Sequence, residues 1–128
     1  MNDIQSVDAT ELIDVCTAIL AQEDVPVADA NFVASTLVEA DRKGIHSHGI
    51  LRLKRYVREL RTRVTNPTPH ISVSEEGPAI ARVDGDGALG PLVGRLAMQT
   101  CIEKARQAGS ATVSASVSYT HLTLPTKA

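Results

Sequence analysis

A chain of 128 residues, 43% of them hydrophobic, is long enough for a domain with a core and too apolar for a disordered segment. Aromatic residues are 2% of the chain, with no Trp, so the core must be aliphatic and base stacking is excluded as a main binding mode. A net charge of −2 and a pI close to 6.0 give no global attraction to nucleic acid or to an anionic membrane. No run approaches the roughly 20 apolar residues of a membrane span, and "MNDIQSVDATELID" lacks the apolar stretch of a signal peptide. Cys16 and Cys101 sit in no CxxC or metal spacing and read as buried free thiols of a cytoplasmic protein.

The first predicted helix is "DATELIDVCTAILAQ". Asp8 and Glu11 have the form of a capping box, and Leu12, Cys16, Ile19 and Leu20 make one apolar stripe. Pro26 suits the first turn of a second helix, whose start Asp29 makes acidic. That helix carries Val33, Leu37 and Ala40 on one face and ends in Arg42 and Lys43, with Gly44 at the C-cap. A third helix is predicted from near Gly49, with Ile50, Leu53, Val57, Leu60 and Val64 on one side, ending before Pro67 and Pro69. "HSHG" then falls in the link before it, at a helix N-terminus whose free amides favour an anion.

Beyond the prolines the pattern changes to short runs. "HISV" and "AIARVDG" read as strands, "DGDGALG" as a turn cluster, residues 90–109 as a fourth helix and "SATVSA" as a buried strand. The fourth helix buries Leu92, Val93, Leu96, Ala97 and Cys101 and stops at Gly109. The organisation is a helical unit over 1–65 and the opening of an α/β unit over 66–115. One short helix and two or three strands cannot cover both faces of a sheet, so the second unit reads as unfinished.

The stretch "GIHSHGILRLKRY" (44–56) admits several chemistries. His46 and His48 are two apart, whereas zinc sites on helices use spacings of three or four, and neither His70 nor His121 lies in a ligand cluster. No metal is expected. Eight of the 13 basic residues fall between Arg42 and Arg63, a helix face that could track phosphates or simply be solvated. A small basic helical module that binds nucleic acid or a partner protein therefore stands as an alternative. Acid/base chemistry asks for an imidazole near a cation that grips a carboxylate. Ser47, His48 and Arg52, one helical turn on, supply that, and a merely structural turn also fits.

The block "EADRKGIHSHGILRLKRYVREL" closely resembles the signature of the malate/L-lactate dehydrogenase family. These are NAD(P)-dependent 2-hydroxyacid dehydrogenases that include sulfolactate, ureidoglycolate and diketogulonate enzymes. The matching residues are Glu39 to Gly44, then Ser47, His48 and Gly49, then Arg52, Arg55 and Tyr56. "DGDGALGPLVGRLAM" and "KARQAG" are similar to the next family block, so the likeness runs from about residue 8 to residue 115.

The resemblance implies an α/β fold: a helical N-terminal unit followed by the truncated start of a non-Rossmann nicotinamide-binding domain. It implies that His48 is the proton donor to a substrate carbonyl, Arg52 the carboxylate partner, and Ser47 a substrate-contacting or His-orienting hydroxyl. His46 is left structural, and "GDGALG" is a turn rather than a phosphate loop. The resemblance implies NAD or NADP as the cofactor, with most of the contacting residues beyond Ala115. The partner it implies is a small 2-oxo or 2-hydroxy acid, with no nucleic acid or membrane expected, and a homodimer is expected for the full-length enzyme. Family members are much longer and continue past this point into an Asn-His or Gly-His pair. Here "SVSYTHLTLPTKA" takes that place, so residues 116–128, with His121, are expected to be a foreign tail and the 128-residue chain to be inactive alone.

Overall fold

The Asp8 side chain accepts hydrogen bonds from the backbone N–H groups of Thr10 and Glu11, at 2.9 and 3.0 Å, and so opens helix α1 (Ala9–Gln22). Such a cap satisfies donors that have no intrahelical partner and contributes about 1 kcal/mol. The structure is a computed structural model and describes residues 5–117. Helix α2 (Val27–Arg42) starts behind Pro26 and packs on α1. Cys16 and Leu20 of α1 and Ala30, Val33, Ala34, Leu37 and Val38 of α2 are buried, forming the aliphatic core that the composition requires. Full burial of a leucine such as Leu20 or Leu37 contributes about 1.5–3 kcal/mol. Burial raises the pKa of the Cys16 thiol, with a smaller push from the Asp41 charge, so the thiol stays protonated.

The chain divides into two compact units at Arg61/Thr62. In the first, the third helix is shorter than its apolar pattern suggests. Two single 3₁₀ turns, His46–His48 and Ile50–Arg52, precede α3 (Leu53–Arg61). Leu60 is buried, whereas Val64 lies past the helix end and is 42% exposed.

The second unit begins its sheet with β1 (Ser72–Gly77), antiparallel to β2 (Ile80–Asp84). Helix α4 (Gly90–Ala108) then leads to β3 (Thr112–Ser116), which pairs with β2 in parallel to give the order β1-β2-β3. β1 sits further along than "HISV" because pairing decides it: Ser74 lies opposite Arg82 and Glu75 opposite Ala81. Val83, Ala88 and Val93 form the centre of this core, with Leu96, Ala97 and Val113 packed on it.

Within the same unit, Lys104 is buried, with Nζ donating to the Gly77 carbonyl at 3.0 Å. "DGDGALG" is a tight turn in which Ala88 N–H donates to Gly85 C=O at 2.9 Å. Gly85 is packed so closely that a Cβ there would overlap the Ser116 carbonyl and the Val93 side chain. Cys101 is half-buried rather than buried, its thiol donating to the Ala111 carbonyl at 3.5 Å. The expected mixed α/β class is observed, with a helical unit first and a small sheet backed by α4 second. Among the described residues no helix is long and apolar enough to cross a membrane. His121 and most of the expected foreign tail lie outside the described residues.

Candidate active site

Helix α2 ends in a pair of crossed hydrogen bonds. Gly44 N–H donates to the Asp41 carbonyl at 3.0 Å, and Ile45 N–H donates to the Ala40 carbonyl at 2.8 Å. This is the Schellman arrangement, which needs a left-handed residue after the cap. Gly44, at φ +77°, adopts that conformation without a Cβ penalty. Lys43 is therefore the C-cap, one position before the Gly44 expected from the sequence, and Gly44 is the residue after the cap.

The reversed chain then passes under a carboxylate. Asp41, on the last turn of α2, has Oδ1 2.8 Å from His46 Nδ1, and its Oδ2 accepts the Ile50 N–H at 2.8 Å. Gly49 lies directly against this carboxylate, and a Cβ at that position would overlap it. The Ile50 N–H, and next the His46 hydrogen bond, hold the Asp41 carboxyl below the usual carboxylate range against a partial desolvation.

A group whose pKa is depressed on folding stabilises the fold above its unfolded pKa, about 3.9 for Asp, and loses that contribution as pH falls through the folded value. Urea unfolding of the wild type and Asp41→Asn across pH 6 to 2 should therefore show a stability gap that closes towards the acid end. A gap constant with pH would contradict the assigned hydrogen bonds.

Ser47, His48 and Arg52 come together on this link. Ser47 Oγ is 2.9 Å from His48 Nδ1, and Arg52 Nε donates to the Ser47 carbonyl at 3.1 Å. The His48 N–H donates to the Ile45 carbonyl at 3.0 Å, and the residue is exposed rather than packed in the core. One turn along, Tyr56 is half-buried, and burial raises its pKa against the opposing pull of the Arg52 charge, so the phenol stays protonated. The link is a 3₁₀ turn rather than the first turn of an α-helix, so Arg52 reaches the site through the Ser47 backbone.

Much of the nearby positive charge is paired. Arg42 and Lys43 face Glu39 at 3.5 and 3.4 Å, Arg55 faces Glu59 at 2.7 Å, and Arg61 faces Glu23 at 2.8 Å. Among the described residues there is no group of three or more His, Cys, Asp or Glu arranged to hold a metal.

The sequence profile of the malate/L-lactate dehydrogenase family matches residues 7–124. The chain belongs to the malate/L-lactate dehydrogenase family. Within it, the malate dehydrogenase of Pyrococcus abyssi is 43% identical over 99 residues, covering 77% of this chain and 27% of that protein. The L-sulfolactate dehydrogenase of Methanocaldococcus jannaschii is 43% identical over 91 residues, covering 71% of this chain and 26% of that enzyme. The structure of malate dehydrogenase from Pyrococcus horikoshii OT3 matches with a TM-score of 0.80 at 38% identity, over 90% of this chain and 35% of the other. The chain thus spans about 27% of the length of the curated relatives it matches.

The family block carries one residue whose place the sequence reading passed over. Asp41 stands in the last turn of a helix, where the macrodipole disfavours an anion by about 0.3–1 kcal/mol. That local conflict was the available signal.

Proposed function

We propose that this chain supplies the substrate-binding and proton-donating side of an NAD(P)-dependent dehydrogenase acting on a small 2-hydroxy acid. The observation that carries the reading is an exposed imidazole with a hydroxyl on one ring nitrogen and an arginine tied to the same turn. The Ser47 hydroxyl can donate to Nδ1 of a neutral ring and accept from Nδ1–H of a charged one. It therefore orients His48 in both states while Nε2 is left to exchange a proton. In reduction Nε2 gives that proton to the carbonyl oxygen, and in oxidation it takes it back from the hydroxyl. The nicotinamide supplies or accepts the hydride at the carbonyl carbon.

Arg52 Nε is occupied by the Ser47 carbonyl, which leaves the two terminal nitrogens to grip the substrate carboxylate. Arg52→Gln is accordingly expected to raise KM and lower kcat/KM by roughly 10- to 100-fold, the loss of a charge-assisted pair. Arg52→Lys should not restore it, because a lysine is a point charge without the planar fork. An unchanged KM in steady-state kinetics would remove Arg52 from the carboxylate site.

Malate, lactate and sulfolactate share the 2-hydroxy carboxylate unit that this arrangement addresses, and they differ in the rest of the molecule. Because the chain spans about 27% of its relatives, the contacts to NAD or NADP are assigned to chain beyond it, and the 128 residues alone are expected to be inactive. Ile45 and Leu51, 49% and 75% exposed beside the site, favour cover by further chain or by the second copy of a homodimer. Free cysteines among the described residues suit the cytoplasm. Four ion-paired cations on the basic stretch argue against nucleic acid as the partner.

The test is a hybrid in which residues 7–117 replace the matching segment of the Pyrococcus horikoshii malate dehydrogenase. Oxidation of NADH or NADPH is followed with oxaloacetate, pyruvate and sulfopyruvate. Turnover on at least one of them supports the proposal, and the preferred one names the substrate. A folded hybrid that turns over none of them rejects it.

A further inference from the structure

We infer that Asp41 is a positioning residue for His48, clamping the connection from both sides of the Ser47–His48 pair without touching the substrate. This rests on the reading of His48 as proton donor. One carboxylate oxygen takes His46 Nδ1, the ring just before the pair, and the other takes the Ile50 N–H, just after it, both at 2.8 Å. The Asp41 backbone carbonyl also accepts the Gly44 N–H at 3.0 Å, so a single residue fixes the reversal and the turn that follows. Between the two side-chain anchors, Gly49 is buried against the carboxylate with no room for a Cβ. The clamp therefore closes around three residues, 47 to 49, which are the whole Ser-His-Gly motif.

His46 acquires a purpose in this arrangement. Its Nδ1 faces Asp41 and its ring is 70% exposed, so it acts as a tether. The helix end is an unfavourable place for a negative charge, and the compensation comes from the bonds the carboxylate makes to the link. A side chain held at a local cost, gripping both flanks of a reactive group, is what exact placement of that group requires. A misplacement of about 1 Å can cost on the order of 100-fold in rate.

Two measurements test this. In the first, backbone ¹⁵N order parameters are recorded for the 128-residue chain as wild type, Asp41→Asn, Asp41→Ala and the control Glu39→Ala, which removes the two exposed ion pairs with Arg42 and Lys43 at the same helix end. Residues 46 to 50 are expected to be rigid in the wild type and the control, near 0.85, to fall below about 0.6 in Asp41→Ala, and to lie between in Asp41→Asn. In the second, the same variants are placed in the hybrid enzyme. Asp41→Ala should lower kcat by roughly 10- to 100-fold with KM within about twofold, and Asp41→Asn, which keeps one acceptor oxygen, should recover part of it.

Unchanged order in both variants overturns the inference, as does lost order with normal kcat. If Asp41→Ala does not fold, Asp41→Asn decides on the same two readouts. If instead His48→Ala in the hybrid keeps full turnover, the proton-donor reading fails, while the order parameters still report whether Asp41 holds the link.

Discussion

Replacing His48 by Ala in the hybrid enzyme is expected to lower kcat by about 10²- to 10⁴-fold, the usual contribution of a positioned general acid. The ring is exposed, so its loss removes little packing, and stability should move by no more than about 0.5 kcal/mol. KM should change little, because the proposed function gives the carboxylate grip to Arg52, and the Ser47 carbonyl that steadies its guanidinium remains in place. The Ser47 hydroxyl, with its ring partner gone, is too weak an acid to protonate an alkoxide at neutral pH. The combination of lost turnover, retained binding and retained stability separates a chemical role from a folding defect. Steady-state kinetics beside a urea titration reads all three, and turnover within about twofold of wild type would reject the assignment.

Gly49→Ala is expected to have the largest effect on stability among single changes in the link. The added methyl group would occupy the position of the Asp41 carboxylate, so one of the two must move. Overpacking of this kind costs about 1–3 kcal/mol. Displacing the carboxylate also breaks its hydrogen bond from the Ile50 N–H, a charge-assisted bond of about 1.5–3 kcal/mol. Partial relaxation places the sum at about 3 kcal/mol, equivalent to a fall in Tm of at least about 10 °C for a unit of this size. Thermal unfolding followed by circular dichroism measures it. The double variant Gly49→Ala, Asp41→Gly, which empties the contested space, should lose less than the two separate costs added together. Strict additivity would show that the two residues do not compete for space.

The ends of α1 and α2 were legible because their determinants are local. Asp8 caps through bonds to residues two and three positions on, and Gly44 closes α2 through bonds spanning five residues or fewer. Ser47, His48 and Arg52 were legible as a set for a related reason, since they lie within six positions and the likeness to the family covers them. α3 starts four residues later than expected: apolar spacing from Ile50 reads as one continuous helix, whereas Ile50–Arg52 form a 3₁₀ turn and the α-helix begins only at Leu53. β1 was displaced because local propensity favours Ile71 and Val73, while the partner strand selects Ser72–Gly77. Asp41 was overlooked as an anchor because its second bond joins residues nine apart across a chain reversal.

Composition and local spacing were enough for the aliphatic core, the Asp8 cap, the glycine that ends α2, the α/β class and the family block that gathers a serine, a histidine and an arginine. These follow from composition and from contacts within a turn or two of chain, where side-chain chemistry acts almost alone. Where β1 pairs, how far α3 extends, and the reach of one carboxylate over Gly49 to both flanks of His48 were set by the folded chain. Those outcomes depend on which groups meet after the chain turns back on itself, and spacing along the chain carries no measure of that distance.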